Sequence, residues 1–215
     1  MDERQRDLEG AVAAHRVLEA HLATLTDHQV AGPSLLPDWT VGHVITHIAR
    51  NADGVRLMLE GALRGEVASQ YPGGVEQRAA DIAAGAVRGA AGVMADVRAS
   101  NQRLEAAFDA MTDEAWLGEG RSVVGMVPVA ELPFRRWRET VVHHADLGLQ
   151  YTWRDWPAEY VRLELRTQTM LWNSRQSMGL TGLPTAAQAV DEHRRVAWLM
   201  GRTTIEGLPP AGLMA

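Results

Sequence analysis

The 215-residue sequence predicts a mainly α protein: a four-helix bundle followed by a short, mostly helical C-terminal segment. Apolar residues recur at three- and four-residue spacing over long stretches, the signature of amphipathic helices. No stretch shows the sustained alternation of a half-buried strand. Breaks bearing Gly and Pro separate the periodic stretches.

The elements follow in order. Residues 2–26 read as the first helix, with Leu8, Val12, His15, Leu18, Leu22 and Leu25 on one face. Gly32, Pro33 and Pro37 punctuate 31–37. A second helix starts where Asp38 or Thr40 can cap it and runs to residue 63 along Val41, Val44, Ile45, Ile48, Val55 and Leu59. Residues 65–74, around Tyr71-Pro72-Gly73-Gly74, form a loop. A third, Ala- and Gly-rich helix covers 75–111, with Gly85, Gly89 and Gly92 as its weak points. Residues 117–129 read as a loop or brief strand, and a fourth helix begins at 129 or 133 and ends at 147, closed by Gly148. Four helices with long connections imply a bundle with at least one crossover. The character changes after Gly148, so 1–150 is expected as the bundle and 151–215 as a small segment packing on it, with helices at 158–176 and 190–201 and a turn at 179–184.

Composition excludes several kinds of chemistry. With no cysteine there is no Cys nucleophile, thiol redox motif, Cys-ligated metal or disulfide. All 21 basic residues are arginine, which removes a Schiff-base lysine and a P-loop lysine. The net charge of −6 disfavours nucleic acid as a partner, and no apolar run approaches membrane-spanning length. A soluble cytoplasmic protein, monomer or dimer, is the default expectation.

Four of the eight histidines pair up on two helices: His43 with His47, and His143 with His144. His15, His21 and His28 read as surface or helix-flank residues, and His193 lies in the charged, solvated run Asp191–Arg195. Glu139 and His143 are four residues apart and project from one helix face, a spacing that suits one divalent cation. A third ligand from a facing helix, His47 or His43, completes a three-ligand site with an open position, the pattern of catalytic rather than structural metal. Asp146 is placed to orient a ligand. Phe134, Trp137, Val141 and Ala145 form a separate apolar stripe that lets the same helix pack.

Three separated motifs occur in order: Ser34-Leu35-Leu36-Pro37-Asp38-Trp39-Thr40 leading to His43-Val44-Ile45-Thr46-His47-Ile48-Ala49-Arg50-Asn51; Val127-Pro128-Val129-Ala130-Glu131; and Arg138-Glu139-Thr140-Val141-Val142-His143-His144-Ala145-Asp146-Leu147-Gly148. In this combination the chain resembles the mycothiol-dependent maleylpyruvate isomerases, members of the DinB-like metalloenzymes that share a four-helix bundle. The resemblance implies zinc, or another divalent metal, held by His47, Glu139 and His143, and it selects His47 over His43. It also implies that Arg202, in Gly201-Arg202, holds a substrate carboxylate, and that Arg78 is a second active-site arginine. Guanidinium groups suit that work because they bind carboxylates bidentately and stay charged. The family usually carries a small α/β domain after the bundle, whereas 151–215 is short and helical in pattern.

The implied activity is a cis–trans isomerisation of maleylpyruvate to fumarylpyruvate. The mycothiol thiolate adds to the double bond, the adduct rotates and the thiolate leaves. A mycothiol S-transferase acting on another electrophile would use the same site, and a non-enzymatic helical binding protein would need none of it. The partners implied are a small electrophilic dicarboxylate and a low-molecular-weight thiol.

Overall fold

The computed structural model describes residues 2–175 and 182–213. The chain divides into two units, Met1–Leu149 and Gln150–Ala215.

In the first unit, α1 (Glu3–Leu22) starts at Asp2, whose carboxylate accepts from the Arg4 and Gln5 amides. The short α2 (Asp27–Ala31) follows on a capping box between Thr26 and Gln29. Thr40, not Asp38, caps α3 (Val41–Leu63): its side chain accepts from the His43 amide while the His43 ring accepts from the Thr40 amide. Asp38 instead takes a left-handed conformation in the turn before the helix (φ 63°).

The single helix expected over 75–111 is two helices, α4 (Gly74–Ala86) and α5 (Ala90–Ala110). Gly89 sits at the N-cap of α5 without a side chain to cap it, and Asp27 fills the role from outside by accepting from the Ala90 amide at 2.7 Å. A remote carboxylate thus makes the break favourable where the local glycines only permit it. Next come two strands, β1 (Glu119–Ser122) and β2 (Gly125–Pro128), paired antiparallel with Gly120 opposite Val127. The loop before α4 is pinned to β1, with the Gln70 amide donating to Arg121 O and the Arg121 amide to Ala68 O. Helix α6 (Leu132–Asp146) closes the unit, with Gly148 in the left-handed region that ends it (φ 69°).

Helices α1, α3, α5 and α6 form the bundle; α3 packs chiefly on α5, and α1 on α6. Its core is built in two clusters. One joins Leu18, Val44, Ile45, Ile48 and Val97, and the other joins Val55, Leu59, Leu104, Phe108 and Leu132. Trp137, Val141 and Ala145 are buried as the apolar stripe of α6 requires.

The second unit contains α7 (Ala158–Ser174), the short α8 (Thr185–Gln188) and α9 (Glu192–Leu199). Its core joins Trp198, Leu199, Ala187 and Ile205, with the Trp198 indole donating to Pro209 O. The last residue of the 158–176 helix and the first part of the 179–184 turn lie outside the described residues. No helix among the described residues is long and apolar enough to cross a membrane.

Candidate metal centre

Helical geometry brings Glu139 and His143 together on one face of α6, and α3 brings His47 across from them. The donor atoms of these three residues all lie within 4.8 Å of one another. His47 Nε2 is 3.3 Å and His143 Nε2 3.5 Å from the same carboxylate oxygen, Glu139 Oε2. That oxygen is buried yet completes no hydrogen bond. His43 turns back to cap its own helix and lies outside the triad.

The ionisation pattern suits a cation. Burial raises the Glu139 carboxyl, but the attraction of His47, His143 and Arg136 outweighs it and holds the group well below the usual carboxylate range. Burial lowers His47, with the neighbouring positive groups acting in the same direction, against the pull of Glu139. An ionised carboxylate beside a neutral imidazole is the state that ligates metal. His143 Nδ1 donates at 2.9 Å to Oδ2 of Asp146, an aspartate that is 2% exposed. Held through Nδ1 by Asp146, the His143 ring presents its Nε2 to Glu139 Oε2, so that the donor atoms of the three residues converge. A carboxylate behind a ligating histidine is the usual outer support of a metal site. The residues present therefore fit zinc in donor type and count, with Asp146 as outer support for His143.

Arg78, on α4, donates to His47 Nδ1 at 2.9 Å. A guanidinium can only donate, so this bond places the His47 proton on Nε2. Arg78 also stands over the Tyr71 ring, 5.3 Å from its centroid. The Tyr71 hydroxyl is pushed up by burial, against the influence of Arg78, and stays protonated at neutral pH. Arg78, Tyr71, Leu132 and Arg138 line a cavity of about 160 Å³ with His47 and Glu139. Tyr71 reads from the sequence only as a loop residue, its one local signal being an aromatic side chain within a Pro/Gly turn.

Arg202 lies in the second unit, just past α9, where its amide donates to Ala197 O and its guanidinium to Met200 O. Two histidine expectations are corrected. His15 is not on the surface: it is 1% exposed, bonded through Nδ1 to Glu105 and through Nε2 to Arg136. His21 is half-buried against His144, while His28 is exposed. His193 is also partly buried rather than freely solvated, with its Nε2 on Trp156 O. These contacts join segments far apart in the chain, where helical spacing carries no information.

Two histidines and a glutamate on facing helices of a bundle are the kind of arrangement from which bundle metal sites are built. Residues 11–148 match the family model described as the mycothiol maleylpyruvate isomerase N-terminal domain. The chain belongs to that family. Its structure resembles the crystal structure of the mycothiol-dependent maleylpyruvate isomerase, with a TM-score of 0.81 and 25% sequence identity, covering 94% of this chain and 90% of that one. A histidine-to-alanine mutant of that enzyme matches equally well, with a TM-score of 0.81 and 25% identity. No curated protein matches the sequence.

Proposed function

We propose that the chain is a zinc- and mycothiol-dependent cis–trans isomerase that converts maleylpyruvate to fumarylpyruvate in the cytoplasm. The observation that carries this is the convergence of His47, Glu139 and His143 on one point beside an arginine-lined cavity. Membership of the family supports the choice of thiol and substrate. In this reading His47, Glu139 and His143 would hold the zinc, and Asp146 would keep the His143 ring oriented toward it. When bound, zinc supplies the Lewis acidity that keeps a thiol ionised near neutral pH, and the thiol supplies the nucleophile for reversible addition to the cis double bond.

The chain's own contribution is to bind, orient and hold charge. Arg78 borders the metal ligands and is placed to take a substrate carboxylate and steady the charge that develops on the dicarbonyl system. Arg202 is assigned a carboxylate-binding role on the family resemblance alone. The neutral Tyr71 walls the cavity and braces the Arg78 guanidinium through its ring face.

The test is metal content and activity in the same preparations. Protein purified without added metal or chelator is expected to carry close to one zinc per chain, and His47→Ala and Glu139→Ala to carry almost none. Wild type is expected to isomerise maleylpyruvate only with mycothiol present. Absence of metal, together with no uptake on zinc titration, defeats the reading. Turnover of another electrophile with maleylpyruvate left untouched points to a thiol transferase instead.

A further inference from the structure

Arg136 is the least expected residue in the bundle. Its side chain is completely buried, at 0% exposure. Burial pushes its guanidinium down to about 10, against the attraction of Glu139, Tyr71, Asp53 and Glu105, so it remains charged at neutral pH. None of its hydrogen-bond acceptors is a carboxylate. Nε donates to His15 Nε2 on α1 at 2.9 Å. Nη1 donates to Ile48 O and Asn51 Oδ1 on α3, both at 2.9 Å. Nη2 donates to Asn101 Oδ1 on α5 at 2.8 Å. One side chain from α6 thus ties together all four bundle helices.

The acceptors are themselves aimed. His15 accepts from Arg136 through Nε2, so its proton is on Nδ1 and is donated to Glu105 Oε1 at 2.7 Å. The Asn101 amide nitrogen donates to Glu19 Oε1 at 2.9 Å, which turns its oxygen toward Arg136. The two carboxylates nearer the surface balance the buried cation through neutral intermediates. A buried ion and its polar partners are poor stabilisers compared with apolar packing of the same volume. What the planar fork supplies is a fixed distance and direction between helices.

That fixed distance falls at the metal centre. Arg136 is one helical turn before Glu139, and its acceptor Ile48 directly follows His47. Building on the metal reading of the triad, we infer that Arg136 is a positioning residue for the metal centre: its hydrogen bonds from α6 to α3 set the spacing at which His47 meets Glu139 and His143. Ligand sets must be held to within a fraction of an ångström to bind metal well. Lysine keeps the charge but has no planar fork, and methionine keeps the bulk but neither charge nor donors.

The test uses Co²⁺ as the probe, bound to metal-stripped full-length protein, with affinity read by competition and site geometry by the visible ligand-field spectrum. Arg136→Lys and Arg136→Met are expected to bind Co²⁺ about tenfold more weakly or worse, with altered bands, at a temperature where circular dichroism shows each folded. Asn101→Ala, which removes one acceptor from α5 and touches no ligand, is expected to shift both readouts the same way by less. It keeps the test decisive where the arginine variants do not fold. Phe108→Ala weakens the core at its stack against Trp116 and is expected to lower the melting temperature without changing Co²⁺ affinity or spectrum. Wild-type uptake of Co²⁺, with affinity and spectrum unchanged in the Arg136 and Asn101 variants, overturns this inference alone. Wild-type protein that takes up no Co²⁺ overturns the metal reading and this inference with it. A loss in Phe108→Ala equal to that in the Arg136 variants assigns the effect to general stability and also overturns it.

Discussion

Arg78 donates to His47 Nδ1, and that bond would oppose a metal ion held at His47 Nε2. An imidazole that gives Nε2 to a metal must carry its proton on Nδ1, where it needs an acceptor rather than another donor. His143 meets this requirement through Asp146; His47 does not while Arg78 holds it. Metal loading is therefore expected to release Arg78 from His47 and free its guanidinium for substrate in the cavity it already lines. Arg78→Met should then move two readouts in opposite directions. Zinc affinity is expected to rise about fivefold, the scale of one hydrogen bond. Turnover at saturating zinc is expected to fall by about 10²-fold, as for loss of a preorganised charge-stabilising donor. Competitive zinc titration and steady-state kinetics on one preparation decide it: a fall in zinc affinity would show that Arg78 supports the ligand instead of opposing it.

At the scale of elements, the triad was legible because helical periodicity does most of the work. A four-residue spacing places Glu139 and His143 on one face, and an apolar stripe on α6 aims that face inward. The choice of His47 over His43 was beyond spacing alone, and the reason is now physical: His43 spends its ring nitrogen on the α3 cap. The break between α4 and α5 was only half visible, because its glycines are local while Asp27 lies far away in the chain. The two short strands show in the sequence only as a loop or brief strand over 117–129, since four residues are too few to alternate clearly. The α3–α4 contact depends on Gly42, where an added Cβ would collide with the backbone oxygen of Ala86. Gly42→Ala gains helix propensity in α3, but the backbone collision outweighs that gain. A net loss of about 1–3 kcal/mol is expected by urea denaturation. Because α4 also carries Arg78, KM for the carboxylate substrate should rise more than kcat falls. Unchanged stability and KM would mean that α4 shifts freely and does not hold Arg78 in place.

For the whole molecule, the buried network makes a specific demand on pH. His15 is lowered from 6.5 to about 4, mainly by burial, with Arg136 adding to the effect and Glu105 opposing it. Above pH 6.5 the ring is neutral in both folded and unfolded chains and adds no pH dependence. As pH falls from 6.5 toward 4, the unfolded chain takes up a proton that the folded chain refuses, so stability drops with acidification. The full effect of a shift that size is about 3 kcal/mol, a large share of the stability of an ordinary domain. His47, lowered in the same direction, adds to the slope. His15→Gln separates the two contributions: its amide oxygen can accept from Arg136, and it does not titrate. Urea denaturation of metal-stripped protein at pH 7 and pH 4.5 is expected to show a smaller acid loss in His15→Gln than in wild type, although the variant starts out less stable at pH 7. Equal acid losses in the two proteins would mean that His15 is protonated in the fold, and that the bond from Arg136 to its Nε2 does not persist in solution.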